Sequence, residues 1–219
     1  MNELKTGLYQ LAQESLLAGR SFPSEELLAR EFGVSRTKIR ENLKSLEADG
    51  LLIARQGQGR RVQPPDWGRA LAESWQTVFL VDRQQIFNLF AIRRVLEQGF
   101  LAEAIIRINE EQIAGMRSAA DDMERAARQG ESFIDADHRF HQLLYASINN
   151  PLLHQLLEAF WASLNRAQAA SPTNDALQTV AAHRHLLEAL ESRDLAAASS
   201  FLMLQFVDID RRLRSEQQE

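Results

Sequence analysis

The chain has 219 residues, 45% of them apolar, which is enough for a substantial core and two compact domains, and its formal net charge is −5. Cysteine is absent, so disulfides, thiolate metal sites and cysteine nucleophiles are excluded and a reducing compartment is expected. The opening residues do not pair a charged start with an apolar run and a small-residue cleavage site, and the apolar runs fall short of the roughly 20 residues of a membrane helix, so a cytoplasmic chain with no membrane partner is expected.

The charge is unevenly spread. Residues 1–63 hold ten Lys/Arg against eight Asp/Glu, whereas the remainder carries a net −7, and within 35–61 seven basic residues face three acidic ones. A local basic face on an acidic protein suits a chain that grips DNA with one surface only.

In chain order, Leu4, Leu8, Leu11 and Leu16 recur at helical spacing, and Gly19 can stop the helix they form over 2–18. Ser24 is placed to cap a second, short helix with Glu25 and Glu26 in its first turn; Leu27, Leu28, Ala29 and Phe32 form its buried side, and Gly33 ends it. Ser35 can cap a third helix from about Arg36 to Ala48, with Ile39, Leu43 and Leu46 facing the core and Arg36, Thr37, Lys38 and Arg40 available near its N-terminal end. After Asp49-Gly50, residues 51–55 read as a strand, Gln56-Gly57-Gln58-Gly59 as a tip and Arg60-Arg61-Val62 as the return.

That order is the grammar of a winged helix-turn-helix: the third helix enters a major groove and the hairpin touches the flanking backbone. Arg can bridge guanine O6 and N7, Ser and Thr reach phosphates or methyl groups, and a glycine tip lets the backbone come close to DNA. The bland alternative is a solvated basic helix face, which leaves the turn and the hairpin unexplained.

Pro64-Pro65 stiffens a linker over 64–66 between a domain at 1–63 and a second at 67–219. Beyond it the sequence breaks into helical segments near 67–79, 84–107, 109–128, 131–148, 151–169, 175–191 and 194–215. Asp82, Asn109, Gly130, Asn149-Asn150-Pro151, Ser171-Pro172-Thr173-Asn174 and Asp194 stand at the breaks. The expected fold is mainly α: an N-terminal winged helix-turn-helix followed by an all-α antiparallel bundle of six or seven helices.

Asp137 and His141, four apart, lie about 40° from one another around a helix and can share one divalent ion, with His183 of another segment as the best third ligand. A surface hydrogen bond or a satisfied core histidine is the commoner use of such a pair. Trp67, Trp75 and Trp161 with Phe87, Phe90, Phe100 and Phe206 are expected to fill the core or a dimer surface rather than line an aromatic cofactor pocket.

The segment VSRTKIRENLKSLEADGLL, followed by GQG-R-V, resembles the DNA-binding domain of the GntR family of bacterial transcriptional regulators, whose pattern falls on Ser35, Arg36, Arg40, Leu43, Leu46, Gly50 and Gly59. The resemblance implies DNA contacts from Ser24, Ser35, Arg36, Thr37, Lys38, Arg40, Gln58, Gly59 and Arg60. The loop from Gly19 to Ser24 is shorter than the family's, so the small strand that backs the wing is expected to be missing. Glu26 stands where many members carry an Arg.

Residues 137–144 (D-x-x-F-H-x-x-L), Asn150-Pro151, His183–Leu190 and Asp194–Ala198 resemble the FCD ligand-binding domain of the FadR subfamily. That resemblance implies a divalent metal, zinc or nickel, held by one Asp and three His beneath a small organic acid. Asp137, His141 and His183 match residue for residue, and Gln205 falls at the fourth position, where an amide oxygen is a poorer ligand than imidazole. Arg93 and Glu97 match the R-x-x-L-E element; Arg93 in preference to Arg94, together with Asn150, is then the expected contact of the effector carboxylate.

The whole reads as a ligand-responsive regulator with no catalytic residues. It is expected to bind a pseudo-palindromic double-stranded operator as a homodimer, since one recognition helix covers only a few base pairs, and to be released by its effector. Two other classes compete: a helical metal-dependent enzyme tethered to DNA, and a constitutive DNA-binding dimer without effector. Against the enzyme, the sequence has no strong P-loop, nucleotide fingerprint, nucleophile elbow or HExxH.

Overall fold

Two serines set the geometry of the first sixty residues. Ser24 Oγ accepts from Leu27 N and Ser35 Oγ from Lys38 N, both at 3.3 Å, so each supplies one of the donors that a helix start leaves open with an acceptor. In the computed structural model, which describes residues 3–55, 59–168 and 176–215, and side chains only as far as 163 in α8 and 207 in α10, they open α2 (Glu25–Glu31) and α3 (Arg36–Ala48). Helix α1 (Glu3–Leu17) precedes them, and its end is marked by Gly19 at φ 62°, a left-handed conformation in which glycine has no Cβ to strain.

Strands β1 (Leu52–Arg55) and β2 (Gly59–Val62) pair antiparallel, with Leu52 opposite Val62 and Arg55 opposite Gly59. Leu52 and Val62 are the buried ends of the hairpin; they join Leu8, Ala12, Leu28, Ile39, Leu43 and Leu46 in one apolar cluster, which anchors the wing at its base. Among the described residues the sheet has no third strand, and the segment between Gly19 and Ser24 forms no strand, in line with its shortness. The wing tip at 56–58 and the break at 171–174 lie outside the described residues.

The chain divides into two compact units, Met1–Asp66 and Trp67–Glu219. The second holds seven helices among the described residues: α4 (Trp67–Val81), α5 (Gln85–Arg107), α6 (Glu110–Gln129), α7 (Ile134–Tyr145), α8 (Pro151–Gln168), α9 (Ala176–Glu191) and α10 (Leu195–Ser215). Their starts follow from local side-chain chemistry. Asp82 accepts from Gln84 N, Asn109 and Gln112 form a capping box, Asn150 accepts from Leu153 N at 3.1 Å and Asp194 from Ala197 N at 2.9 Å.

Helix α7 is shorter at both ends than its apolar period predicts. Phe133 offers no side-chain cap, and after Tyr145 the bonds tighten to the three-residue kind, Ala146 N to Leu143 O and Ile148 N to Tyr145 O, turning the chain toward Asn150.

Helix α5 runs through the bundle in contact with α4, α7, α8 and α10, while α6 packs on α7 and α9, and α4 on α8. The α4–α8 approach is close: a Cβ on Gly68 would sit 2.5 Å from the Gln155 carbonyl oxygen. Phe90, Leu101, Ala104, Phe140, Leu144, Phe160, Leu186 and Leu202 are part of a single core. Trp161 and Phe206 are buried with them, Trp75 stacks on Phe160, and Trp67 is 56% exposed. No described helix is long and apolar enough to cross a membrane.

Candidate functional site

Among the described residues, each unit carries a cluster of side chains that bears on function. In the first, α3 presents Arg36, Thr37, Lys38 and Arg40 on its exposed side, opposite Ile39, Leu43 and Leu46. The hydroxyls of Ser24 and Ser35 are used as caps at the edge of this face. Gly59, at φ 76°, begins the return strand of the wing, and Arg60 follows it; Gln58 lies outside the described residues.

Two of these cations are tied down. Arg40 Nη2 meets Glu25 Oε2 at 2.7 Å, and its Nε donates to the same carboxylate. Arg60 Nη1 reaches the other oxygen of Glu25 at 3.0 Å, and its Nε reaches Glu47 Oε1 at 2.6 Å. The bonds from Arg40, opposed by partial burial and reinforced by those from Arg60, hold the Glu25 carboxyl at about 2.

The second cluster is interior. Asp137 and His141 on α7 meet His183 on α9, and one ligand atom from each lies within 4.8 Å of the others. His183 Nε2 stands 2.9 Å and His141 Nε2 3.5 Å from the same oxygen of Asp137. The far nitrogens are also engaged: His141 Nδ1 is 2.9 Å from Glu97 Oε2, and His183 Nδ1 is 2.8 Å from the Thr179 carbonyl oxygen.

Those partners fix the tautomers. An ionised carboxylate and a carbonyl only accept, so both Nδ1 atoms carry hydrogen and donate. In neutral rings each Nε2 would then turn a lone pair toward the Asp137 carboxylate, which no hydrogen bond can satisfy. A cation resolves it, either a proton on the rings or a metal between them, and pinning Nδ1 to an acceptor is how metal-binding imidazoles are oriented.

Gln205 on α10 strengthens the case. It is 5% exposed, faces the same cavity as Arg93, Asp137, His141, His183 and Phe206, and neither its Oε1 nor its Nε2 has a hydrogen-bond partner. Buried amide atoms left bare cost about 1–3 kcal/mol each, so an occupant that engages them is favoured. The cavity is about 10 Å³, the room of one water or ion. With an anionic oxygen, two imidazoles, an amide and this size, the residues fit a divalent ion.

Burial by itself would raise the Asp137 carboxyl, but the charge and hydrogen bond of His183, with His141 and Arg93 farther off, bring it to about 2. Glu97 follows the same pattern: burial raises it, while Arg93 and His141 pull it down to about 2. Arg93 Nε donates to Glu97 Oε1 at 2.6 Å, both side chains are buried, and the guanidinium lies 4.0 Å over the Trp161 ring. Arg93 thus faces the cavity with its charge already met inside its own helix. Asn150 serves as the cap of α8 and lines neither the small cavity nor its larger neighbour. That neighbour, about 350 Å³, opens between α7 and α8 and shares His141 with the small cavity, with His138, Glu158 and Trp161 in its wall.

Sequence reasoning brought Asp137, His141 and His183 to one place and missed the residues that hold others in position. Thr179 was legible as the carbonyl one turn before His183. Glu25 and Glu47 carried no such signal, being separated from Arg60 by 35 and 13 residues.

Residues 8–62 match the family "Bacterial regulatory proteins, gntR family", and residues 88–204 match "FCD domain". The galactonate operon transcriptional repressor of Escherichia coli (strain K12) is 29% identical over 217 residues, covering 94% of this chain and 92% of that one. The HTH-type transcriptional regulator LutR of Bacillus subtilis (strain 168) is 28% identical over 142 residues, 65% of this chain and 64% of that one. Among solved structures, Streptococcus agalactiae GntR superposes with a TM-score of 0.71 at 23% identity over 95% of this chain and 99% of that one, a likeness of fold.

Proposed function

We propose that this chain, which belongs to the GntR family of bacterial regulatory proteins and carries an FCD domain, is a repressor that leaves its operator when a small hydroxylated carboxylate binds beside a divalent ion in the helical unit. That it is a DNA-binding transcriptional regulator of a ligand-responsive kind follows from the family. The sign of regulation, the class of effector, the ion and the homodimer are our reading.

One observation carries it. Asp137, His141 and His183 converge with both Nε2 atoms aimed at one carboxylate oxygen, beside a buried amide, Gln205, with nothing to bond. These four side chains would hold the ion, and a divalent ion there supplies the positive charge that draws an acid into a buried site. Arg93 lines the same cavity, and the neighbouring cavity of about 350 Å³, which shares His141 with it, offers an acid the room that the ion's own cavity lacks. The name of the galactonate repressor supports a hydroxylated acid as the chemical class.

Two copies of the DNA-reading unit on a pseudo-palindromic site would supply the affinity that one α3 cannot. The enzyme alternative loses ground, because the relatives reported above are regulators.

The test is a gel-shift series on the full chain, with a duplex it selects from a randomised pool and with galactonate, lactate and their uncharged amides added in turn. Release by an acid and not by its amide is the expected outcome. Release by none, with the ion present, leaves a constitutive DNA-binding protein.

A further inference from the structure

Glu25 joins three elements of the DNA-reading unit. It sits in the first turn of α2, binds Arg40 of α3 through Nη2 at 2.7 Å and binds Arg60 of β2 through Nη1 at 3.0 Å. Glu47, near the end of α3, takes the Nε of the same Arg60 at 2.6 Å. Two carboxylates thus stand against two of the cations on the face expected to meet DNA. Arg36, Lys38 and Lys44 on α3 form no ion pair among the described residues.

A guanidinium has five N–H donors in a planar fork, and Arg40 spends only the edge formed by Nε and Nη2 on Glu25. Its side chain remains 56% exposed, so the rest of the fork is free to donate outward. A free Arg side chain loses rotamer entropy when it docks on a base. One already clamped has lost much of it. The same clamp withdraws positive charge from phosphates, which lowers affinity for DNA of any sequence.

We propose that Glu25 is a positioning residue for DNA recognition: it fixes the Arg40 fork for a base edge, links it to the wing through Arg60, and raises discrimination between sequences at the expense of general affinity. This rests on the reading that Arg40 faces DNA. No signal of it exists along the sequence, because Glu25 is 15 residues from Arg40 and 35 from Arg60.

The experiment compares full-length wild type, Glu25→Gln, Glu25→Asp and Arg40→Ala by fluorescence anisotropy on two duplexes: the one wild type enriches from a randomised pool, and a scramble of it. Salt is varied and the fold is checked by circular dichroism. Glu25→Gln keeps the shape and removes the charge, so the affinity ratio between the duplexes should fall about tenfold, the scale of one bidentate base contact. Its binding to the scramble should rise and the salt slope steepen by about 1 to 2, since each cation released to a phosphate adds roughly 0.9.

Glu25→Asp keeps the charge on a stem too short to span both guanidiniums, and it carries the test alone should Glu25→Gln not fold. Its ratio should fall with a salt slope close to wild type. An unchanged ratio in the folded variants overturns the proposal, as does an equal gain on both duplexes, which would make Glu25 a repelling charge only. Discrimination that survives Arg40→Ala identifies the DNA-facing assignment of Arg40 as the failure and takes the proposal down with it.

Discussion

Each unit is built around a carboxylate held between two nitrogen-bearing side chains, yet the two clusters do opposite work. Glu25 bridges an exposed Arg40 and a half-buried Arg60 at the edge of its unit, where water reaches the Arg40 side of the clamp. Asp137 bridges His141 and His183, and Glu97 bridges Arg93 and His141, in an interior where Arg93, Glu97, His141 and His183 are all buried. Exposed pairs contribute about 0–1 kcal/mol and break easily, so the surface clamp can yield to a phosphate or a base. Breaking a buried pair strands a charge at a cost of about 3–5 kcal/mol, so the interior cluster changes only when another charged group arrives. The reader of DNA is therefore soft to any anion, and the sensor is closed to all but a fitting one.

The sharpest test of that contrast is ion content. The double variant His141→Ala/His183→Ala should lose any stoichiometric divalent ion by elemental analysis, while Glu25→Gln retains it; retention by the double variant would move the ion site elsewhere. Next in size is stability. Glu97→Ala leaves Arg93 buried without its partner and should destabilise the helical unit by about 3–5 kcal/mol in urea unfolding, against less than about 1 kcal/mol for Glu25→Ala in the DNA-reading unit. Equal costs would erase the distinction between the two clusters.

Smaller in free energy is recognition itself. Arg36→Ala should reduce discrimination between selected and scrambled duplexes by about 1–3 kcal/mol with no change in melting temperature, as expected for a base contact on an exposed face; an unaltered ratio would move recognition off this end of α3. The smallest effect is the pH dependence of the surface clamp. Glu25 is held at about 2, below the ordinary 4.5, so its pairing stabilises fully above pH 4.5 and is lost as pH falls toward 2. In Glu25→Gln that portion of the acid unfolding curve should flatten, and an unchanged curve would mean that the clamp contributes nothing to stability.

Much of this architecture was readable along the chain. The span of α3 from Arg36 to Ala48, the hairpin, and the starts of α6, α8 and α10 at Asn109, Asn150 and Asp194 all agree with their capping and turn residues. The hydrogen-bond partners of two side chains were less legible. Asn150, expected both at a helix break and as an effector contact, has its amide oxygen engaged as the cap of α8. Arg93 was expected to contact the effector carboxylate, and Glu97, one turn along the same helix, already pairs with it. A motif identifies which residue is present, while the partner that claims its hydrogen bonds depends on which helices close around it.

The sequence by itself determined where helices begin and end, which face of α3 is buried, and that Asp137 and His141 share a side, because caps, glycine turns and helical period act within about four residues of one another. Only the tertiary structure decided how His183, expected at the cluster but 46 residues from Asp137, is set against it, that Gln205 is left without a partner, and that Glu25 reaches across to both Arg40 and Arg60. Those contacts come from how the helices and the wing fold onto one another, and whether a carboxylate finds a cation or an amide finds nothing is fixed only when burial has removed the water that would otherwise serve either of them.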